Sequence, residues 1–128
     1  TKVKLLGTGL WDDPEIAKIP EMAGAWFPSA TPGPYEKFEK HFMVQYGYKP
    51  VRLAGLAYDA VTIATQLIMT SPANLNDASL TDPAGYVSPA NGLFRLKRDG
   101  TSDRKLAVME ITPGGFKVID AAPKSFER

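Results

Sequence analysis

The sequence predicts an α/β domain, and three observations carry that reading. A long apolar helix lies mid-chain, short strand-like runs flank it on both sides, and proline- and glycine-rich stretches separate the segments. The helix, residues 51–69, reads VRLAGLAYDAVTIATQLIM and holds no glycine or proline after Gly55. It is long enough for about five turns. Leu53, Leu56, Ala57, Ala60, Ile63, Ala64, Leu67 and Ile68 recur at helical spacing, and Val61 and Met69 widen the apolar surface. The polar residues Arg52, Gly55, Asp59, Thr62 and Gln66 fall on one narrow stripe with alternating gaps of three and four. A helix apolar over most of its circumference is expected to be covered on more than one side. Asp59, set in such a helix, is expected to reach a buried or half-buried partner.

Composition bounds the rest. A chain of 128 residues suits one domain that buries roughly two thirds of its unfolded surface. Hydrophobic residues at 44% and charged residues at 23% exclude disorder. Fifteen basic and fourteen acidic residues, scattered along the chain for a net +1, leave no electrostatic footprint for nucleic acid or an anionic membrane. The absence of cysteine excludes thiol catalysis, thiolate zinc sites and disulfides. No apolar run approaches the ~20 residues of a membrane span. The chain opens without methionine or a signal peptide, directly in a strand-like run, so it is expected to be cut from something longer.

Residues 2–6, KVKLL, form a strand candidate that ends at Gly7-Thr8-Gly9. Loops at the carboxyl ends of parallel strands are where ligands sit, and this one carries Leu10 and Trp11. Trp11 is either a ligand-facing wall or a ring closing the top of a core. The Gly-Thr-Gly run lacks the third glycine of a dinucleotide fingerprint. Asp12-Asp13-Pro14-Glu15 supplies a capping oxygen, a pre-set φ and negative charge at a helix start. That grammar predicts a short helix over 14–19 rather than a metal site.

Residues 22–27 predict another strand. Residues 28–34 hold three prolines and a glycine, which predicts a stiff hinge crossing. Residues 35–46 predict an amphipathic helix between Pro34 and Gly47, with Tyr35, Phe38, Phe42 and Tyr46 buried and Glu36 paired with Lys40. His41, the sole histidine, reads as a surface residue without zinc or triad partners. After a loop over 70–77, residues 78–81 predict a helical turn, and 85–92 a turn-rich crossing. A β meander closes the chain: strands 93–97 and 105–111 around the turn Arg98-Asp99-Gly100, then 116–119. Asp99 to Asp103 lacks the spacing and the distal glutamate of a calcium loop. The cations around it read as a solvated edge.

Taken in order, Tyr46-Gly47-Tyr48-Lys49-Pro50, Ala57-Tyr58-Asp59-Ala60-Val61, and Gly92-Leu93-Phe94-Arg95 with Asp99-Gly100 resemble the final third of a type I periplasmic solute-binding protein. The family is the branched-chain amino-acid-binding one, and within it the branch of ABC substrate-binding and penicillin-binding-protein-activator proteins. The resemblance implies a fragment of a two-lobed α/β fold with a C-terminal β meander. It assigns residues 1–27 to the second lobe, 28–34 to the hinge, 35–84 to helices of the first lobe, and 85–128 to a crossing and the terminal meander. It places Thr8, Gly9, Leu10 and Trp11 at the second-lobe ligand loop, and Arg52 and Gly55 on the first-lobe segment facing the cleft. Amino-acid binders of the family often carry a carboxylate near the Gly-x-Gly loop. None stands at Thr8–Trp11, so a less polar ligand, or a lost site, fits better.

The implied function is non-catalytic: a small solute clamped between two lobes and handed to the membrane subunits of an ABC importer, in the periplasm, with no cofactor. An interaction module that activates a cell-wall synthase is the alternative. An enzyme is disfavoured, since no nucleophile–base pair is visible. A fragment of such a fold is expected to expose apolar surface, and therefore to pair with a second copy or with the rest of its parent chain.

Overall fold

A computed structural model describes residues 3–126 of the chain. The chain divides into two units. One comprises 1–30 and 106–123; the other comprises 31–105 and 124–128.

The first unit is built on a three-stranded antiparallel sheet: β1 (Trp26–Ser29), β5 (Ala107–Thr112) and β6 (Gly115–Asp120), with β5 in the centre. The alternation of β5 explains that position. Ala107, Met109 and Ile111 face inward, while Val108, Glu110 and Thr112 face the other side. Ala17, Ala25 and Phe27 complete this core, and Phe116 meets Phe27 edge-on with ring centroids 5.2 Å apart. A strand was expected over 2–6. Lys2 lies outside the described residues, and the remainder makes one parallel bridge, Leu6 to Trp26. The expected helix over 14–19 is a single 3₁₀ turn, Ile16–Lys18, started by Asp13, whose Oδ1 accepts from the Glu15 amide at 2.9 Å. Ile19-Pro20 ends it, and a second such turn, Pro20–Met22, follows.

Residues 28–34, expected as a hinge crossing, contain the boundary between the two units, between residues 30 and 31. Strand β1 runs through Pro28 to Ser29, and helix α1 (Pro32–Tyr46) starts three residues earlier than predicted. Pro28 is tolerated because β1 is an edge strand, where its missing N–H breaks no ladder.

The second unit holds α1, α2 (Ala54–Thr70), the short α3 (Asp77–Leu80) and a second antiparallel sheet, β2 (Tyr86–Ser88), β3 (Gly92–Leu96) and β4 (Ser102–Arg104). Helix α1 ends as its sequence dictates. Gly47 takes φ +78°, and its amide closes on the Met43 carbonyl at 2.8 Å. Its aromatic stripe is covered only in part: Phe38 is buried, Tyr35 and Phe42 are half-buried, and Tyr46 is exposed. The Phe38 ring meets Tyr58 of α2 at 5.0 Å.

Two expectations fail here. The stretch 85–92 is not a mere crossing: Tyr86–Ser88 pairs with Gly92–Phe94 around a turn of Pro89, Ala90 and Asn91. Gly92, at φ +78°, supplies the left-handed residue that closes such a hairpin. The terminal strands are also not one meander. Strand β3 pairs with β4, in which Asp103 lies opposite Arg95 and accepts from its Nε at 3.0 Å. Strand β5 joins the other sheet. The polar run Ser102-Asp103-Arg104 hid a strand that a cross-strand ion pair stabilises.

The third correction concerns α2. The buried residues of this helix are Gly55, Asp59 and Ile63. The side expected to need covering is open: Leu53 is 70% exposed, Val61 67%, Ile68 43% and Leu56 37%. Ala57 and Ala60 are exposed as well. Of the polar stripe, Gly55 and Asp59 face the rest of the unit, where Asp59 finds its partners, while Arg52 and Gln66 are exposed and Thr62 bonds the Tyr58 carbonyl of its own helix.

Candidate functional site

The ligand loop proposed from sequence is a 3₁₀ turn, Gly9–Trp11, capped by Thr8. The Trp11 amide bonds the Thr8 carbonyl at 3.0 Å and the Asp12 amide the Gly9 carbonyl at 3.3 Å. This tight turn folds the indole back over Gly7. A Cβ built at Gly7 would lie 2.1 Å from the Trp11 ring, so only glycine admits the ring there. The other side of Trp11 packs on the core of the unit. The indole is therefore half-buried and fixed, and Leu10, 80% exposed, stands beside it at the tip of the turn. Asp12, next in sequence, accepts from the Ser29 hydroxyl at 2.5 Å. Of the two readings of Trp11, the ring that closes a core is the one these contacts describe.

Behind the loop, the Trp26 indole N–H donates to Glu110 Oε2 at 2.8 Å, and Lys4 lies 3.5 Å from the same oxygen. The Trp26 hydrogen bond, then Lys4, holds the Glu110 carboxyl below its ordinary range. Lys4 also sits over the Trp26 ring, 4.1 Å from its centroid, and donates to the Gly24 carbonyl at 2.7 Å. These contacts tie the segment before the loop to β1 and β5.

Arg52 and Gly55 lie in the other unit. Arg52 is exposed in the turn before α2. Gly55 is buried: a Cβ there would lie 3.0 Å from the Tyr35 ring and 3.1 Å from Asn91 Nδ2. Its place in the structure is a close approach of α2 to α1 and to the β2–β3 turn.

Asp59 organises that turn. It is 2% exposed. Its Oδ1 accepts from the Ala90 amide at 2.9 Å. Its Oδ2 accepts from the Asn91 amide at 2.9 Å, from Asn91 Nδ2 at 2.7 Å and from the Ser88 hydroxyl at 2.7 Å. The Ser88 hydroxyl also lies 2.9 Å from the Gly92 carbonyl. A buried carboxylate is sustained by hydrogen bonds of this number. The sequence pointed to Asp59 but not to its partners, because Ser88, Ala90 and Asn91 read as loop. The signal was present in Ser-Pro-Ala-Asn-Gly, a hairpin turn with two polar side chains that face a helix.

Along α1 and the start of α2 runs a groove of about 580 Å³, lined by Lys37, Phe38, His41, Phe42, Tyr58 and Pro89 among others. Among the described residues no cluster of histidine and carboxylates could hold a metal ion, and no helix is long and apolar enough to cross a membrane.

The chain has part of the fold of the type I periplasmic solute-binding proteins of ABC transporters. It superimposes with a TM-score of 0.77 on a structure from Rhodospirillum rubrum assigned to branched-chain amino acid ABC transport, at 20% identity, over 93% of this chain and 38% of that one. It is also similar to an ABC-transporter solute-binding protein from R. palustris in complex with benzoate. There the TM-score is 0.60 and the identity 23%, over 98% of this chain and 38% of that one. A leucine-binding protein from Thermotoga maritima matches at TM-score 0.60 and 17% identity, over 95% and 38% of the two chains. The chain thus spans about two fifths of the length of these structures. No family profile matches the sequence, and no curated protein matches it.

Proposed function

We propose that this chain is part of a periplasmic solute-binding protein that captures a small, largely apolar organic solute and delivers it to the membrane subunits of an ABC importer. Its role is binding and not catalysis. In this reading residues 1–27 belong to the second lobe, 35–84 to the first, and Thr8, Gly9, Leu10 and Trp11 form one wall of the ligand site. The observation that carries it is the rigid Trp11 turn, with an exposed Leu10 and no carboxylate from Thr8 to Trp11, on a solute-binding fold. An α-ammonium needs an anionic partner; the hydrocarbon part of an aromatic or aliphatic carboxylate needs an apolar wall, and its anion needs hydrogen-bond donors. The benzoate complex of the R. palustris protein is consistent with that choice.

Calorimetric titration of the longer protein with benzoate and with leucine tests it. Benzoate is expected to bind, leucine to bind at least tenfold more weakly, and Trp11→Ala to weaken benzoate at least tenfold. Because Trp11 also packs on the core, the same change is expected to cost about 2 kcal/mol of stability, less than a fully buried tryptophan. Tight leucine binding, or benzoate binding indifferent to Trp11→Ala, refutes the assignment of the wall.

A further inference from the structure

We propose that Asn91 is a deamidation site held in check by Asp59. While the β2–β3 turn is closed the carboxylate withholds the reaction, and once the reaction has run its product keeps the turn from closing as before. The chain holds three asparagines, and only Asn91 is followed by a glycine. Asparagine is among the chemically labile side chains, and a glycine after it leaves the attacking amide nitrogen unscreened by a Cβ. In the reaction the Gly92 nitrogen bonds to the Asn91 Cγ. The Cγ–Nδ2 bond breaks, and the side-chain nitrogen leaves as ammonia with the proton that the Gly92 nitrogen gives up. The cyclic imide then takes up one water at either carbonyl and opens to aspartate or to isoaspartate. The turn cannot avoid this chemistry, because it uses both residues. Gly92 supplies φ +78°, and Asn91 supplies two of the donors that sustain the buried Asp59.

The closed turn sets the reacting groups apart. Asp59 Oδ2 accepts from the Asn91 amide at 2.9 Å and from Asn91 Nδ2 at 2.7 Å. One oxygen thus ties the side chain to the main chain on the amino side of Cα, whereas the attacking nitrogen lies on the carboxyl side. Asp59, Ser88 and Ala90 are all buried, so Asn91 cannot swing toward Gly92 without taking a donor from a buried carboxylate. The reaction is therefore confined to moments when the turn opens. Its product faces the same oxygen. A carboxylate at position 91 would set two anionic groups at hydrogen-bond distance in a place built for a donor, and like charges there repel. Isoaspartate would also lengthen the main chain by a methylene between Ala90 and Gly92. All of these contacts lie within one unit. Neither the Trp11 loop nor the open face of α2 takes part, so this inference and solute binding can each fail without the other.

Peptide mapping by mass spectrometry of the purified protein, aged in mildly alkaline buffer, reads the reaction as conversion of the Asn91 amide to an acid. Folded protein is expected to convert at least about tenfold more slowly than the same protein unfolded in urea. Equal rates overturn the proposal, and this comparison needs no variant. Folded Asp59→Asn is expected to convert faster than the unaltered protein brought to the same stability with urea. Equal rates at matched stability would assign the protection to the fold at large and overturn the role of Asp59. Asp59→Glu, which displaces the accepting oxygens, is read in its place if circular dichroism shows that Asp59→Asn fails to fold. For the product, Asn91→Asp is compared with Asn91→Ala in thermal melts. Both lose the side-chain bond to Asp59 and only the first adds a charge, so Asn91→Asp is expected to melt lower. Failure of Asn91→Asp to fold where Asn91→Ala folds is the same result in its largest form. Equal melting temperatures, or a higher one for Asn91→Asp, overturn the claim that the product breaks the turn.

Discussion

The two faces of α2 obey opposite rules. On one, a glycine, an aspartate and an isoleucine are buried; on the other, leucines, valine and alanines lie open. Apolar content would have ordered them the other way. What decides is the supply of partners. Four hydrogen bonds from Ser88, Ala90 and Asn91 make the Asp59 carboxylate an acceptable interior group. The apolar face needs only area, and its own unit has none left to offer. Burial along α2 therefore follows the partners a face finds rather than its apolar content.

The largest expected effect is on the settled side. Asp59→Ala leaves the Ala90 and Asn91 amides and the Asn91 side chain without an acceptor, while Ser88 can turn to the Gly92 carbonyl. At about 1–3 kcal/mol per orphaned buried group, a loss of about 3–5 kcal/mol is expected in urea denaturation. Asp59→Asn, which keeps one acceptor oxygen, is expected to lose about half of that. An effect below about 1 kcal/mol for Asp59→Ala would break the comparison.

Gly55→Ala comes next. The added methyl meets Tyr35 at 3.0 Å and Asn91 at 3.1 Å, so one of them must give. Overpacking of this degree is expected to cost about 1–3 kcal/mol, against the gain in helix propensity that alanine would otherwise bring. A rise in the melting temperature would show that the α1–α2 approach is looser than it looks.

Asp103 sharpens the contrast from the solvent side. Hydrogen bonds from Arg95 and then Lys97 hold its carboxyl below the ordinary value of 3.8. A depressed folded pKa means that its contribution to stability is present above pH 3.8 and is lost as the pH falls through the lower folded value. Carboxyl NMR is expected to find a midpoint below 3.8, moved back upward more by Arg95→Ala than by Lys97→Ala. Because the pair is open to water, 0.5 M salt, on the order of that which shrinks the screening length below 10 Å, should move it the same way.

The smallest effect is expected on the open face. In these 128 residues alone, Val61→Lys should change stability by no more than about 0.5 kcal/mol. A loss above about 1 kcal/mol in urea denaturation would mean that this face is packed within the chain itself.

Local grammar determined much of this molecule. Gly47 stopped α1 because only a residue free of Cβ strain takes φ +78° cheaply. Asp13 and Pro14 started a helical turn, the period of 51–69 made a helix, and the alternation of 107–112 made a strand, each through interactions within a few residues. The ordered motifs also carried the resemblance to solute-binding proteins, and with it the fold. Tertiary structure alone decided which strand pairs with which: β4 is held by the contact of Asp103 with Arg95, eight positions away, and β5 by a core that includes Phe27, far earlier in the chain. It alone chose which face of α2 to bury. Periodicity reports that a helix has two faces, but the donors that neutralise a buried carboxylate come from residues about thirty positions away, and no local pattern encodes where they will stand.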